Sequence, residues 1–446
     1  MSLPPELAYH SAVAAAAMGS QPIRLTIKPV NSSAAYLQGQ EVRLQIPHLA
    51  NHHLQQKGTY IKFKVYNSGT NTPALGAAGI ASLIQRWSIY HGSQLIEDIL
   101  NYNRLYEMML TGTVSAESRG SQSFANMAGT QLVANSLAVN AQTNPPLASV
   151  TAGNGLFRAG KPLVAGASQT FILPIMSSIL GSGNDKYIPL GWLNSPMLVS
   201  LTFASNFQDC LYRATGVQAD ADAIQITDVN LIAECVKVSD EAESVLKRGS
   251  PNGVEFSIRQ WKTTRDAIPA NAQYSTTLMP WRLQSLKTVL FAQYPAINTI
   301  TRDEGSCIGS RFRNNLATYN LKLNGSMYPT YPISAGDPET YAETVKALTG
   351  INDTLYNSSF GSVSYLIDVS GGAANPYGSF FVAINTDSFE NYTGSRQIMS
   401  GTRIADNNAY FEATYSANTL ASTVLLAVEF DAILTLDNTG QFSIRF

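Results

Sequence analysis

Charge is scarce in this sequence. Asp, Glu, Lys and Arg make up 13% of its 446 residues, about half the roughly 25% usual for globular proteins. Ser, Thr, Asn, Gln and Gly fill the gap. A surface poor in charge is one that neighbours can cover, because each buried charge would need a partner. A secreted β-protein with a neutral surface fits the same composition. The net charge is −2, with no long basic run, so the electrostatic footprint of a nucleic-acid binder is missing. Cysteine is nearly absent as well. Cys210, Cys235 and Cys307 stand far apart without CxxC spacing, which reads as reduced, buried thiols rather than disulfides or metal ligands. No apolar run reaches the roughly 18 residues that a membrane helix needs. No basic residue precedes the alanine-rich Val13–Met18 stretch, so a signal peptide is not expected.

What is present is organised around the middle. From Val236 to Gly253 the scarce charges cluster, with Asp240, Glu241 and Glu243 first and Lys247 and Arg248 last. Ser239 suits an N-cap, and acids then bases complement the helix dipole. Gly249 and Ser250-Pro251-Asn252-Gly253 lead out. The spacing predicts a short connector helix over 239–252, with one fold written on each side of it. The expected plan is an arm over 1–20, a first unit over 21–238 and a second over 253–446.

The order of elements carries the duplication. In the first unit, alternating apolar and polar residues predict strands at Pro22–Pro29, Glu41–Pro47 and Thr59–Tyr66. Ile84–Tyr90 and Gln94–Ile99 flank His91-Gly92-Ser93, a hairpin turn. Asn101–Leu110 follows as an amphipathic helix closed by Gly112, with Tyr102, Leu105, Tyr106 and Met109 on one face. A long insertion with little periodicity runs from 113 to 167. Gln169–Ile175, Met197–Phe203 and Ile224–Ala233 bring the strands to eight. The second unit repeats this with strands at Val254–Arg259, Tyr274–Pro280, Leu286–Gln293, Tyr319–Leu323 and the run after Ser326. A helix opened by Asp337-Pro338 comes next, then Ser379–Ile384, Ala409–Tyr415 and Thr423–Leu436. Met279-Pro280 lies 233 positions beyond Ile46-Pro47, and Gly325 lies 233 beyond Gly92. Leu348-Thr349-Gly350 echoes Leu110-Thr111-Gly112 at an offset of 238.

No motif assembles into an enzyme. His48, His52 and His53 follow a strand with no acid or cysteine nearby in sequence, and read as ordinary loop histidines. Gly153–Gly160 is glycine-rich, but no Gly-Lys-Ser/Thr follows it, so it makes a poor phosphate cradle. No G-x-S-x-G elbow occurs. Acid pairs such as Glu97-Asp98 and Asp303-Glu304 are present, but sequence alone does not bring two carboxylates around a substrate. Trp87, Trp192, Trp261 and Trp281 sit in or beside strands as core or interface anchors. Sequons at Asn31, Asn324, Asn352, Asn357 and Asn391 matter only if the protein is secreted, and Asn324 is also a hairpin residue. No catalytic, cofactor-binding or metal-ligating residues are therefore expected, and no cofactor.

Eight strands per unit with a helix between the fifth and sixth is the strand order of a viral jelly roll. Trp87–Leu110, with Gly92-Ser93 and the run Glu97 to Tyr102, carries the resemblance. So do Ser239–Trp261 and Met279–Lys287. Over nearly its whole length the chain resembles the double jelly-roll major capsid proteins of icosahedral double-stranded DNA viruses, and the virophage and polinton-like group most. The resemblance implies an all-β fold of two tandem eight-stranded antiparallel jelly rolls and a homotrimer with a pseudo-hexameric outline. It implies tiling with neighbouring capsomers in the virion shell, contacts with penton and minor capsid proteins, and no active site. It also implies that the 113–167 insertion builds an outward tower. The barrels are not expected to bind nucleic acid, and an internal membrane is left open. The alternatives are a secreted carbohydrate-binding β-sandwich, on the strength of the sequons and aromatics, and a β-sandwich glycosidase, which needs two carboxylates flanking a groove.

Overall fold

Strands form where one face must be dry and the other wet, and here that pattern appears twice in the same order. The computed structural model describes residues 20–76, 78–114, 121–134, 156–181, 186–212, 223–295, 311–348, 380–387, 400–404, 409–416 and 419–446. The expected arm lies outside them apart from Ser20, as do Cys307, Asn352, Asn357 and Asn391.

The first half begins with β1 (Ser20–Ile27), β2 (Glu41–Ile46), β3 (His52–Asn67) and the short β4 (Ala74–Leu75). The hairpin β5 (Ile84–His91) and β6 (Gln94–Leu100) leads into helix α1 (Tyr102–Thr113). Helix α2 (Gln122–Ala128), β7 (Thr130–Ala134) and β8 (Leu156–Gly160) lie in the insertion, and β7 pairs with β8. Then come β9 (Ser168–Pro174), β10 (Ile188–Pro189), β11 (Met197–Phe203), β12 (Leu211–Tyr212) and β13 (Ile224–Val238). Helix α3 (Asp240–Gly249) follows.

The second half holds β14 (Val254–Ile268), β15 (Tyr274–Leu278), β16 (Leu283–Pro295), β17 (Leu316–Leu323) and β18 (Ser326–Ser334). Helix α4 (Pro338–Leu348), β19 (Val382–Asn385), β20 (Thr402–Ile404), β21 (Ala409–Tyr415), β22 (Ser422–Leu436) and β23 (Phe442–Arg445) complete it.

The sheets show the duplication directly. In the first half one sheet runs β1-β13-β3, with β9 also on β3, and the other runs β2-β11-β5-β6. In the second half the orders are β14-β22-β16-β19 and β15-β21-β17-β18. Strand for strand these are the same two antiparallel sheets, so each half is an eight-stranded jelly roll with a helix between its fifth and sixth strands. The two sheets of a barrel meet through interdigitated side chains. Phe291 of β16, for instance, stacks on Phe411 of β21 with ring centroids 4.1 Å apart. One hydrophobic cluster runs through both barrels without a break.

The matched landmarks align in two different ways. Ile46 pairs with Met197, and the Met279 amide bonds to Ala409, the residue that faces Leu323 as Met197 faces His91. Ile46-Pro47 and Met279-Pro280 are thus equivalent at the expected offset. The hairpins are equivalent as well, but their glycines are not. His91 pairs with Gln94 and Leu323 with Ser326. Gly92 (φ +58) therefore takes the turn's first position, which Asn324 (φ +51) fills in the second barrel, and Gly325 takes the next. A left-handed backbone at that first position suits both Gly and Asn.

Two expectations need correcting. The helix over 101–110 does not stop at Gly112. It runs to Thr113, and Gly112 is buried where α1 meets α4, where a Cβ would come within 2.2 Å of a Leu348 methyl. The glycine serves close approach rather than termination. The histidine loop is also partly strand, because β3 begins at His52, seven residues before Thr59. Leu54 and Gln56 continue its inward face. The polar run hid that alternation.

Candidate functional site

The described residues with unusual chemistry gather along the seam between the barrels. Strand β6, the edge of its sheet, lies against β14, the edge of a sheet in the other barrel. The contact is made by side chains reaching backbone rather than by a strand ladder. Gln260 Nε2 donates to the Ile96 carbonyl at 2.9 Å, and Thr263 Oγ1 donates to the Leu100 carbonyl at 2.7 Å. Lys262 lies between them over the Phe446 ring, 4.1 Å from its centroid, and burial pulls its ammonium below the usual lysine range. At one end the Gly440 carbonyl accepts from the Asn194 amide, and Phe442 sets its ring edge-on to His91.

At the other end a buried ion pair crosses the seam. Arg311 Nη1 donates to Glu107 of α1, and neither side chain is exposed to solvent. Thr111 Oγ1 donates to the same carboxylate at 2.7 Å, and the Arg311 guanidinium lies over the Phe381 ring. Arg104 lies over Tyr294 at 4.1 Å. Removing one partner of such a pair leaves a charge with no water around it, which costs about 3–5 kcal/mol. The pair joins residues 204 apart in sequence, and nothing in local spacing marks either one.

Helix α3 is docked to the first barrel. Ser239 Oγ accepts from the Ala242 amide, the N-cap that the sequence predicts. Glu243, read from sequence as one of three helix-start acids, turns inward. It accepts from Trp192 Nε1 and lies 2.9 Å from His53 Nε2. His53 therefore has an acid beside it in space that the sequence separates by 190 positions. Among the described residues no group of three or more His, Cys, Asp and Glu is placed to hold a metal ion.

A cleft of ≈420 Å³ opens beside the seam, between α1, the end of β9 and the β14–β22 pair. Its walls are mainly apolar, with Tyr106, Met109, Ile175, Met176 and Trp261, and its charged lining groups are Arg259 and Glu429. Burial pushes the Glu429 carboxyl above the ordinary glutamate range. This combination places and orients apolar surface. It does not set a base beside a nucleophile.

The remaining sequence candidates fall elsewhere. Trp87 is a fully buried core residue, stacked near Tyr102, whereas Trp261 and Trp281 line clefts at the seam. The glycine-rich run ends as strand β8, its first three residues lying outside the described set. Cys210 and Cys235 are buried, and burial pushes the Cys235 thiol up to about 11. The two described sequon asparagines already use their amides. Asn31 Nδ2 donates to the Glu41 carbonyl and Asn324 Nδ2 to the Arg403 carbonyl, each at 2.7 Å. No helix among the described residues is long and apolar enough to cross a membrane.

No family model matches the chain, and no curated protein matches it in sequence. Solved structures do. PBCV-1 VP54, fitted into a reconstruction of the virophage Sputnik, is similar over 96% of this chain and 97% of its own, with a TM-score of 0.60 at 14% identity. The Faustovirus major capsid protein matches over 94% and 91%, with a TM-score of 0.56 at 9% identity. A chain of the Sputnik virophage structure matches over 96% and 88%, with a TM-score of 0.55 at 12% identity. The chain has the double jelly-roll fold of these structures.

Proposed function

We propose that this chain is a viral major capsid protein, a structural subunit without catalysis or cofactor that tiles the shell of an icosahedral virion. The observation that carries the reading is the fold itself: two equivalent barrels, joined along a seam, in one chain whose likeness to capsid chains spans 96% of its length. Three copies, each supplying two barrels, make a ring of six similar units, the pseudo-hexameric homotrimer that tiles a curved shell. Neighbouring capsomers, penton proteins and minor capsid proteins are its partners. The barrels do not bind nucleic acid, in keeping with a net charge of −2. The arm over 1–20 faces the interior, the units span 21–238 and 253–446 around the 239–252 connector, and the 113–167 insertion forms the outward tower.

Light scattering on the purified chain tests this. A trimer has a mass three times 48.1 kDa, about 144 kDa, and persists at micromolar concentration and neutral pH. A well-folded monomer under those conditions overturns the reading. Limited proteolysis of assembled particles tests the tower: Arg119 and Arg158 are cut before sites on the inner face.

A further inference from the structure

The second barrel holds a buried lysine between two buried carboxyls, and the backbone around them is pinned on both sides. Lys287 of β16 is the most buried lysine among the described residues, with its side chain 3% exposed. Its Nζ lies 2.8 Å from Asp387 Oδ2, 3.5 Å from Asp431 Oδ2 and 2.8 Å from Ser400 Oγ. The Asp387 side chain is 11% exposed and that of Asp431 3%. Asp387 follows β19, whose Asn385 pairs with Thr288, and the Thr386 amide donates to the Lys287 carbonyl at 2.7 Å. On its other side Asp387 bridges to Gly401. A Cβ at Gly401 would lie 2.2 Å from the Leu286 carbonyl oxygen, so glycine is what lets this backbone press against β16. Ser285 Oγ donates to Asp431 Oδ2 at 2.7 Å and accepts from the Gly401 amide at 2.8 Å.

We propose that Lys287 and Asp387 join in an isopeptide bond inside the folded chain, with Asp431 carrying the proton. The three groups stand in the structure as reactants. A nitrogen 2.8 Å from a carboxyl oxygen lies beside the carbon that bears it. Reacting atoms held about 3–3.5 Å apart in a fixed frame gain the advantage of an intramolecular reaction. Asp431 takes one proton from the ammonium, and the neutral amine attacks Cγ of Asp387. The C–N bond forms as the carbonyl electron pair moves onto oxygen. Asp431 then passes its proton to an Asp387 oxygen, a second proton follows from the nitrogen, and the C–O bond breaks to release water. Of the three ammonium protons, one stays on the amide and two leave in the water. Nothing is oxidised or reduced. Burial favours the product, because an ammonium and a carboxylate shielded from solvent become one neutral amide. Asp431 keeps Ser285 and the half-exposed Arg259 at 3.9 Å. The bond closes a span of 100 residues, from β16 to just past β19, that contains β17, β18 and α4. It forms once per chain, within one barrel, and does not depend on how copies assemble.

Mass spectrometry of the purified, denatured chain decides this. The expected mass is lower than that of the sequence by one water, about 18 Da. Trypsin does not cut at an acylated lysine, so the digest should hold 283–302 joined to 347–396 as one branched peptide. A full-mass chain that is cut at Lys287 overturns the proposal. A water loss confined to 347–396 also overturns it, since that marks a cyclised aspartate. Lys287→Arg keeps the charge but has no amine to transfer, and it should show the full mass. A water loss that persists in Lys287→Arg places the bond elsewhere and overturns the pairing. Asp431→Asn should also show the full mass, with a light-scattering mass equal to that of wild type to confirm that it folds. An Asp431→Asn chain that still loses water overturns the role given to Asp431.

Discussion

The two barrels share a fold but bury charge by different means. In the first, Glu97 of β6 is sealed among neutral donors: the Ser178 amide and hydroxyl at 2.6 Å each, Trp87 Nε1 at 3.1 Å, and the Ser177 hydroxyl. In the second, Lys287 of β16 is sealed among acids, 2.8 Å from Asp387 and 3.5 Å from Asp431, with Ser285 also on Asp431. Dipoles answer the charge in one case and opposite charge in the other. The sheet order survives both, so neither arrangement dictates the fold. What the barrels hold in common is the alternation that builds the sheets and the turns that end them. The buried polar groups are particular to each, and each is as strong as its compensation.

Substitution at these centres should separate them. Lys287→Met takes away the buried cation that Asp387 and Asp431 share and leaves Asp431 with the half-exposed Arg259 at 3.9 Å, and a loss of about 3–5 kcal/mol is expected in urea unfolding. Glu97→Gln keeps the shape but turns an amide NH2 toward one of two fixed N–H donors, for which about 1–3 kcal/mol is expected. If Glu97→Gln proves the costlier, dipoles are the stronger compensation and the contrast between the barrels reverses.

A second pair of substitutions asks whether the barrels behave as one body. Gly440 has φ +78, and a Cβ there would lie 2.3 Å from the Trp192 carbonyl of the other barrel. Gly325 has φ +86 but open space around it. Gly440→Ala should cost about 3 kcal/mol and Gly325→Ala about 1. Calorimetry should also show the single transition of the wild type splitting in Gly440→Ala alone. Equal costs would mean that the seam yields without loss.

The pH profile offers a finer contrast. Burial raises the Glu97 carboxyl in one barrel and Glu429 in the other. With folded values above the unfolded ones, the unfolded chain releases these protons first as pH rises. The stability each contributes is complete below the ordinary glutamate value and is lost as pH climbs toward the raised one. The gap in stability between wild type and Glu97→Gln should therefore narrow from pH 4 upward. Glu429→Gln should gain on wild type over the same range. A gap that widens with pH would reverse the sign assigned to Glu97.

Least disturbing of all should be Gly92→Asn. It copies Asn324 into the first barrel's turn, where Ser195 leaves a Cβ ordinary contact at 3.5 Å. A change within about 0.5 kcal/mol is expected, read from the thermal midpoint. A larger loss would mean that the two hairpins are equivalent in topology only.

The architecture was legible in the sequence because the strands longer than about six residues alternate, and alternation is a local signal. The helix cap at Ser239 and the Pro47–Pro280 match were legible for the same reason. Strands of two to four residues, such as β4, β10, β12, β20 and β23, are too short for a period to register. The seam lay beyond reach for another cause. Glu107 and Arg311, His53 and Glu243, Ile96 and Gln260 meet only after the chain has folded back across 160 residues or more. Gly112 shows the local rule misapplied: a glycine near a helix end resembles a stop, and only the facing Leu348 reveals close packing instead.

The span between Ile96 and Gln260 also sets a clock. The carbonyl of Ile96 is synthesised 164 residues before the side chain that caps it. At roughly 5–20 residues per second, the ribosome needs on the order of ten to thirty seconds to cover that distance. Over the last part of this interval, once β13 is complete at Val238, the first barrel closes with an uncovered edge at β6. In a cell making many copies at once, a matching surface for that edge is the β14 of a neighbouring chain that has not yet docked on its own β6. Crowding on a polysome therefore favours exchanged barrels, and slower elongation after residue 250 would lengthen the exposure.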